Sequence, residues 1–257
     1  MMKRYELSVQ KNIRDLGGLK TIDGHHIKFG LLYRGGLLAS VNEDDIKVID
    51  SLHLTDIVDF RGEDEYLYRP DYRFQGVTYH NFPALHEEVK KEDHHNDDGN
   101  LLWFVGDHTS GFEHLKSCYR DFVIGEEPRK AYRRFFELIL QEGKVTYFHC
   151  SQGKDRAGFA AFLIERALGV SLEDAKEDYL LTNIAMEKRV DKLLSSVQYK
   201  PFYNEKYHQD LLDVFSAKLE YLEESIKMMD EHFGGTLNFI KNELKVDIDK
   251  LKKIYLE

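Results

Sequence analysis

Two cysteines, Cys118 and Cys150, are the only thiols in a chain of 257 residues. They are too few for a disulfide framework, so a reducing, intracellular setting is expected. Positive charge is also scarce: 36 Lys and Arg face 46 Asp and Glu, for a net charge of -10. That balance argues against broad nucleic-acid or anionic-membrane binding, yet permits a local basic pocket for a small anion. Long apolar runs are missing as well, since the longest, such as "FAAFLI" at 159–164, fall far short of a membrane span. The opening "MMKRYELSVQKNIRDLGG" has no apolar signal core, and a cytoplasmic protein is expected. There is no internal repeat. What remains is ordinary globular material, 42% hydrophobic and 32% charged, able to bury a sizeable core within one large domain.

The first third reads as short strands and turns. "HIKFGLLYRGG" at 26–36 holds two strand-like runs around Gly30, and "LTDIVDF" and "GVTYHNF" at 76–82 are further strand candidates. Asn42 with Asp45 three residues on reads as a helix N-cap, followed by Ile46, Ile49 and Leu52 at helical spacing. The polar stretch 84–111 lacks an apolar period and reads as a long loop. Helices are expected near 112–123 and 127–142. "KVTYF" at 144–148 is a compact buried parallel strand. From Arg156 to Leu168 the pattern is helical and apolar on most sides, with Gly169 as its stop and Ser171 with Asp174 as the next N-cap. The remainder is helical, with Leu219, Leu222, Ile226, Met229 and Phe233 as a core stripe. Strands alternating with helices predict an α/β fold around a mostly parallel sheet.

Between strand and helix lies "HCSQGKDRAG", residues 149–158. A loop entering a helix N-terminus presents unpaired N–H groups and the positive end of the helix dipole, a ready anion site. Gly153 permits the tight path that aims successive amides inward, with Ser151, Gln152, Lys154 and Ala157 supplying the rest of the cradle. Arg156 offers a planar fork for two phosphate oxygens. Cys150 sits at the mouth, where a helix terminus and an arginine favour the reactive thiolate. The chemistry implied is in-line attack on phosphorus, a cysteinyl-phosphate intermediate and hydrolysis by water. A buried structural cysteine is the bland alternative.

The loop resembles the Cys-x5-Arg signature of protein tyrosine phosphatases, and the Gly-Lys-Asp before the arginine resembles the bacterial LipA-like members. "NIRDLGG", "GLLYRGG", "DIVDFRGEDE", "DYLLTN" at 178–183 and the closing "FGGTLNFIKNELKVDIDKLKKIYL" also resemble segments of that family. The resemblance implies a tyrosine-phosphatase-like α/β fold over 1–257, with a helical C-terminal region from about 216 and no cofactor or metal. It assigns Cys150 as nucleophile and Arg156 as phosphate clamp, with His149 orienting the loop. Asp155 is implied as general acid. Asp59, at a strand end, is the other candidate, with Arg61 beside it as a helper in anion binding; the bland alternative for Asp59 is a helix N-cap or an ion-pair partner for Arg61. Lys154 resembles a loop lysine of lipid phosphatases and hints at phosphoinositides. A lid is expected near 184–213, around "VQYKPFYNEKYH" and Pro201, or in the loop at 84–111.

Histidines 25–26 and 94–95 lack the spacing of a zinc site, and Cys118 has no evident tie to Cys150. The expected substrate is a phosphorylated protein or phosphoinositide, with phosphate as product. A rhodanese-type sulfurtransferase and an inactive phosphoprotein-binding module are the competing readings. One position departs from the pattern: Ala157 stands where the resembling phosphatases carry Ser or Thr.

Overall fold

Six strands form one sheet in the order β1 (Arg4–Tyr5), β2 (Ile13–Asp15), β3 (Leu32–Gly35), β6 (Thr146–His149), β4 (Asp56–Asp59) and β5 (Thr78–Asn81) in a computed structural model. The structure describes residues 4, 5, 7, 12–85, 110–200 and 203–257. The four strands from β3 to β5 run parallel, while β1 and β2 extend the β3 edge antiparallel. Gly35 pairs with His149, His149 with Asp59, and Asp59 with Asn81. The four parallel strands therefore end level, and their common C-terminal edge is where such sheets place ligands.

The central strand β6 is buried at all four positions. Tyr147 packs on one face with Ile13, Ile49 and Ile57 beneath α1 (Glu43–Asp50). Phe148 faces the larger core with Phe60, Phe135 and Phe159. That core is built by α3 (Gly111–Ile124), α4 (Glu126–Ile139), α5 (Arg156–Leu168) and α8 (Leu219–Phe233), with α9 (Ile248–Tyr255) closing it. Helix α5 is apolar almost all round because neighbours cover nearly every side of it. Its Phe159 stacks on Phe122 at 5.5 Å, a side chain of the size whose burial contributes roughly 1.5–3 kcal/mol.

The end signals read from the sequence operate here. Asn42 and Asp45 form a reciprocal capping box on α1, Gly169 ends α5 in the left-handed region, and Ser171 caps α6 (Leu172–Val197). Three expectations differ. Only Leu32–Gly35 becomes a strand in the 26–36 run, because Gly30 turns the chain and Ile27 bridges to Leu256 instead. The helix expected to reach 142 stops at Ile139, before a turn at Gly143. A helix missed in the sequence, α2 (Glu63–Tyr68), follows β4.

Residues 184–213 fall on the second half of α6 and on α7 (Glu205–Phe215), two helices with a small core of their own. Tyr207, Leu211 and Phe215 pack there against Val190, Leu194 and Val197. Most of the loop at 84–111, with His94 and His95, and also Pro201, lies outside the described residues. No helix among the described residues is long and apolar enough to cross a membrane.

Candidate active site

Strand β6 ends at His149 and helix α5 begins at Arg156, so the Cys-x5-Arg segment is the turn between them. Cys150 lies recessed at 3% exposure. Gly153 adopts φ +71°, and a Cβ there would run into the backbone of Gly35. Both facts make glycine necessary at this point of the loop. Among the described residues, none of the amides from Ser151 to Asp155 donates to a protein acceptor. A row of unengaged N–H groups at the start of a buried helix is an anion nest.

Arg156 is held in place from α2. Its Nη1 donates to Glu65 Oε2 at 2.6 Å and its Nη2 to Glu65 Oε1 at 3.2 Å. Ser151 Oγ donates to the same carboxylate at 2.8 Å and accepts from Arg156 Nη2 at 3.3 Å. Burial opposes the charge on Glu65, but Arg156, Ser151 and the Gly62 amide outweigh it and hold the carboxyl at about 2. Sequence reasoning missed Glu65. The signal was an acid three residues after Gly62, and Glu65 does bond back to the Gly62 amide at 3.1 Å in a capping box. Its reach across the fold to Arg156 left no local trace.

Asp155 stands at the N-cap of α5, partly exposed, with no capping bond. Its Oδ1 accepts from Tyr119 Oη at 3.0 Å and lies 3.2 Å from Lys154 Nζ. Tyr119 is in turn bonded to Tyr179 Oη at 2.7 Å. The carboxyl is thus oriented from one side and open on the other. Lys154 does not point its amine into the cradle. Nζ is buried and donates to the carbonyls of Val214 and Ser216 at 2.5 and 3.2 Å, at the C-terminal end of α7. The positive charge expected for the cradle from Lys154 serves a helix terminus instead.

Asp59 and Arg61 are likewise redirected. Both are 2% exposed. Arg61 Nε donates to both Asp59 oxygens at 3.0 Å, Nη2 to Oδ2 at 2.6 Å, and Nη1 to the carbonyls of Glu65 and Arg69. The pair is closed on itself and braces α2. Arg61 has no edge left for an anion, and Asp59 has no free oxygen directed at a leaving group.

His149 is fully buried, with Nδ1 donating to the Cys150 carbonyl at 3.0 Å and Nε2 lying 3.0 Å from Asp71. The second contact is a close ion pair whose angle falls outside hydrogen-bond geometry. Burial disfavours the imidazolium, yet Asp71 and then Asp59 prevail and raise His149 to about 9. Asp59, Asp71 and His149 converge closely enough to invite a metal. The bonds from Arg61 to Asp59, and the charged His149 beside Asp71, account for this group as an ion-pair network.

Ala157 is buried and carries no hydroxyl. Gln152 contributes backbone, its carbonyl accepting from Asn12 at 3.0 Å. Cys118 lies 3.4 Å from His114 Nε2, and burial pushes its thiol up to about 12, so nothing here makes it a reactive partner.

A recessed cysteine at the C-terminal edge of a parallel sheet, an amide nest and a braced arginine define a cysteine-based phosphatase. The chain belongs to the tyrosine phosphatase family, whose family model matches residues 5–257. A Cupriavidus necator protein, provisionally named a tyrosine-protein phosphatase, is 28% identical over 252 residues, covering 95% of this chain and 85% of the relative. The triple specificity protein phosphatase PtpB of Mycobacterium tuberculosis is 23% identical over 264 residues, covering 92% of each. Among solved structures, the core catalytic domain of the PP-IP phosphatase SIW14 from S. cerevisiae aligns at TM-score 0.35 and 14% identity, over 66% of this chain and 90% of that one. That likeness is too distant to carry weight.

Proposed function

We propose that the chain hydrolyses phosphate monoesters through a cysteinyl-phosphate, with phosphotyrosine in proteins as its preferred substrate. The observation that carries the reading is the unengaged amide nest between Cys150 and Arg156. The Cys150 thiolate attacks phosphorus in line with the leaving oxygen, and Asp155 gives that oxygen its proton. The loop amides and Arg156 take up the charge on the equatorial oxygens, with Glu65 fixing the guanidinium plane. Water then attacks the phosphocysteine, Asp155 accepts its proton, and phosphate leaves. His149 supports the loop through the Cys150 carbonyl. Residues 1–257 act as one domain in this reading, with α6 and α7 at 184–213 as a helical cover tied to the loop through Lys154.

The recessed thiol supports the aryl preference, because a phosphate on a long aromatic stem reaches deeper than one on a serine stem. The triple specificity in the name of the M. tuberculosis relative supports slower turnover of other phosphate esters. The Lys154 contacts weaken the case for phosphoinositides. The test is turnover of para-nitrophenyl phosphate, then of phosphotyrosine, phosphoserine and soluble phosphoinositide substrates, with a metal chelator present throughout. We expect chelator-resistant turnover and at least about tenfold higher kcat/KM for phosphotyrosine, a ~1.4 kcal/mol preference. A higher value for the phosphoinositide would overturn the preference. Sulfur transfer from thiosulfate to cyanide in place of phosphate release would overturn the function.

A further inference from the structure

The carbonyls of Ser151, Gln152 and Gly153 are all held by donors from the β2–β3 side of the loop. Ser151 O accepts from Leu37 N at 3.2 Å, Gln152 O from Asn12 Nδ2 at 3.0 Å, and Gly153 O from Arg34 Nη2 at 2.9 Å. In a planar trans peptide the carbonyl and the following N–H point in opposite directions. Anchoring these three carbonyls therefore turns the amides of Gln152, Gly153 and Lys154 the other way, into the nest.

Two of the three anchors lead to one side chain. Arg34 Nη1 donates to Asp178 Oδ2 at 2.9 Å. Arg14, paired with Arg34 in the strand register, donates from Nε to Asp178 Oδ1 at 3.1 Å and from Nη2 to Oδ2 at 3.0 Å. Arg14 Nη1 also donates to Asn12 Oδ1 at 2.7 Å, which fixes the amide that reaches Gln152. Asp178 comes from α6 and is 2% exposed, as is Arg14; Arg34 is fully buried. Glu165 of α5 adjoins them, and burial with the Asp178 charge pushes its carboxyl well up. Asp178 itself stays low despite burial, because Arg14 and Arg34 face it.

We propose that Asp178 is a positioning residue for the phosphate loop: by clamping Arg14 and Arg34 it sets the carbonyls of Gln152 and Gly153, and so aims the amides that bind the substrate phosphoryl group. The inference rests on the loop being the phosphate cradle. Asp178 touches neither substrate nor nucleophile, so its removal acts on oxyanion affinity. A role confined to folding would leave that affinity unchanged in the folded variant.

The test is competitive inhibition by inorganic phosphate against para-nitrophenyl phosphate, for the full chain, Asp178→Asn and Asn12→Ala, with thermal unfolding of each. In Asp178→Asn the inhibition constant should rise at least about tenfold and KM should rise with it. Asn12→Ala removes one carbonyl anchor and leaves the Asp178 clamp, and should raise the constant about threefold to fivefold with little change in melting. If Asp178→Asn does not fold, Arg14→Lys, which cuts the link from Asp178 to Asn12 and keeps the charge, is measured in its place and should raise the constant by a similar factor. Unchanged phosphate inhibition in the folded variants, beside a parent that is inhibited, overturns this inference alone. A parent that neither turns over the ester nor binds phosphate overturns the proposed function with it.

Discussion

The Asp59–Arg61 pair and the Glu65–Arg156 pair are chemically alike and lie on adjoining segments, yet only the second leaves its guanidinium an open edge. Asp59 and Arg61 are two residues apart and both 2% exposed, and every nitrogen of Arg61 capable of donating is engaged by Asp59 or by the carbonyls of Glu65 and Arg69. Glu65 and Arg156 are 91 residues apart, with side chains 27% and 11% exposed. Arg156 keeps Nε without a protein acceptor among the described residues, beside the amide nest. A closed pair stabilises a fold, whereas an open one holds a charge ready for a ligand.

Exchanging the arginines should separate the two roles most widely. Arg156→Lys removes the planar fork and should lower kcat/KM on para-nitrophenyl phosphate by about 10²–10³, with little change in denaturant midpoint. Arg61→Lys should do the reverse, costing about 1–3 kcal/mol of stability as the carbonyls of Glu65 and Arg69 lose their donors, while the folded fraction keeps turnover within about tenfold of the parent. Steady-state kinetics and urea unfolding of both variants check this. Equal loss of turnover in folded Arg61→Lys would erase the distinction.

The carboxylates come next. Asp155→Asn should slow alkyl phosphates by about 10² and para-nitrophenyl phosphate much less, because a poor leaving group needs the proton more. Asp59→Asn should show no such selectivity and should instead lose stability. Leaving-group dependence that appears in Asp59→Asn and not in Asp155→Asn would reverse the assignment.

These contrasts follow the boundary of what the sequence reveals. The loop from Cys150 to Arg156, the helix after it and the caps at Asn42 and Ser171 are local, and local pattern is legible. Whether Asp59 was an acid or a partner for Arg61 could not be read, because both need the same two residues at the same spacing. Glu65 and Asp178 act on the loop from 91 and 25–26 residues away along the chain. The side-chain charge of Lys154 could not be placed from the sequence, because the carbonyls that capture its amine, those of Val214 and Ser216, are 60 and 62 residues distant.

A smaller effect concerns Ala157. Ser151 Oγ already donates to Glu65, so its hydroxyl proton is unavailable to the cysteine sulfur at the position where a Ser or Thr after the arginine would serve. Breakdown of the phosphocysteine should then limit turnover, giving a burst of nitrophenol in stopped flow. Ala157→Thr should shrink the burst and raise the steady rate by roughly tenfold, the worth of one hydrogen bond to a charged group. A parent without a burst, and no gain in the variant, would show that the first step limits the rate.

A separate expected effect is on pH. His149 is raised in the fold to about 9, above the unfolded value of about 6.5. Its contribution to stability is therefore fully present below about pH 6.5 and is lost as pH rises through about 9. Melting measured from pH 6 to 10 should decline across that window, and His149→Gln should flatten the decline. A variant that keeps the parental slope would place the titrating group elsewhere.

In the proposed mechanism the open pair serves a phosphoryl transfer to Cys150. Its most direct test is to mix the protein with para-nitrophenyl phosphate, quench within the burst, digest with trypsin and weigh the peptide spanning 145–154. The parent should carry one phosphoryl group on Cys150, absent from Cys150→Ser, which should also lose turnover. Turnover that persists in Cys150→Ser, or a phosphoryl group on any other residue of that peptide, would rule out Cys150 as the nucleophile.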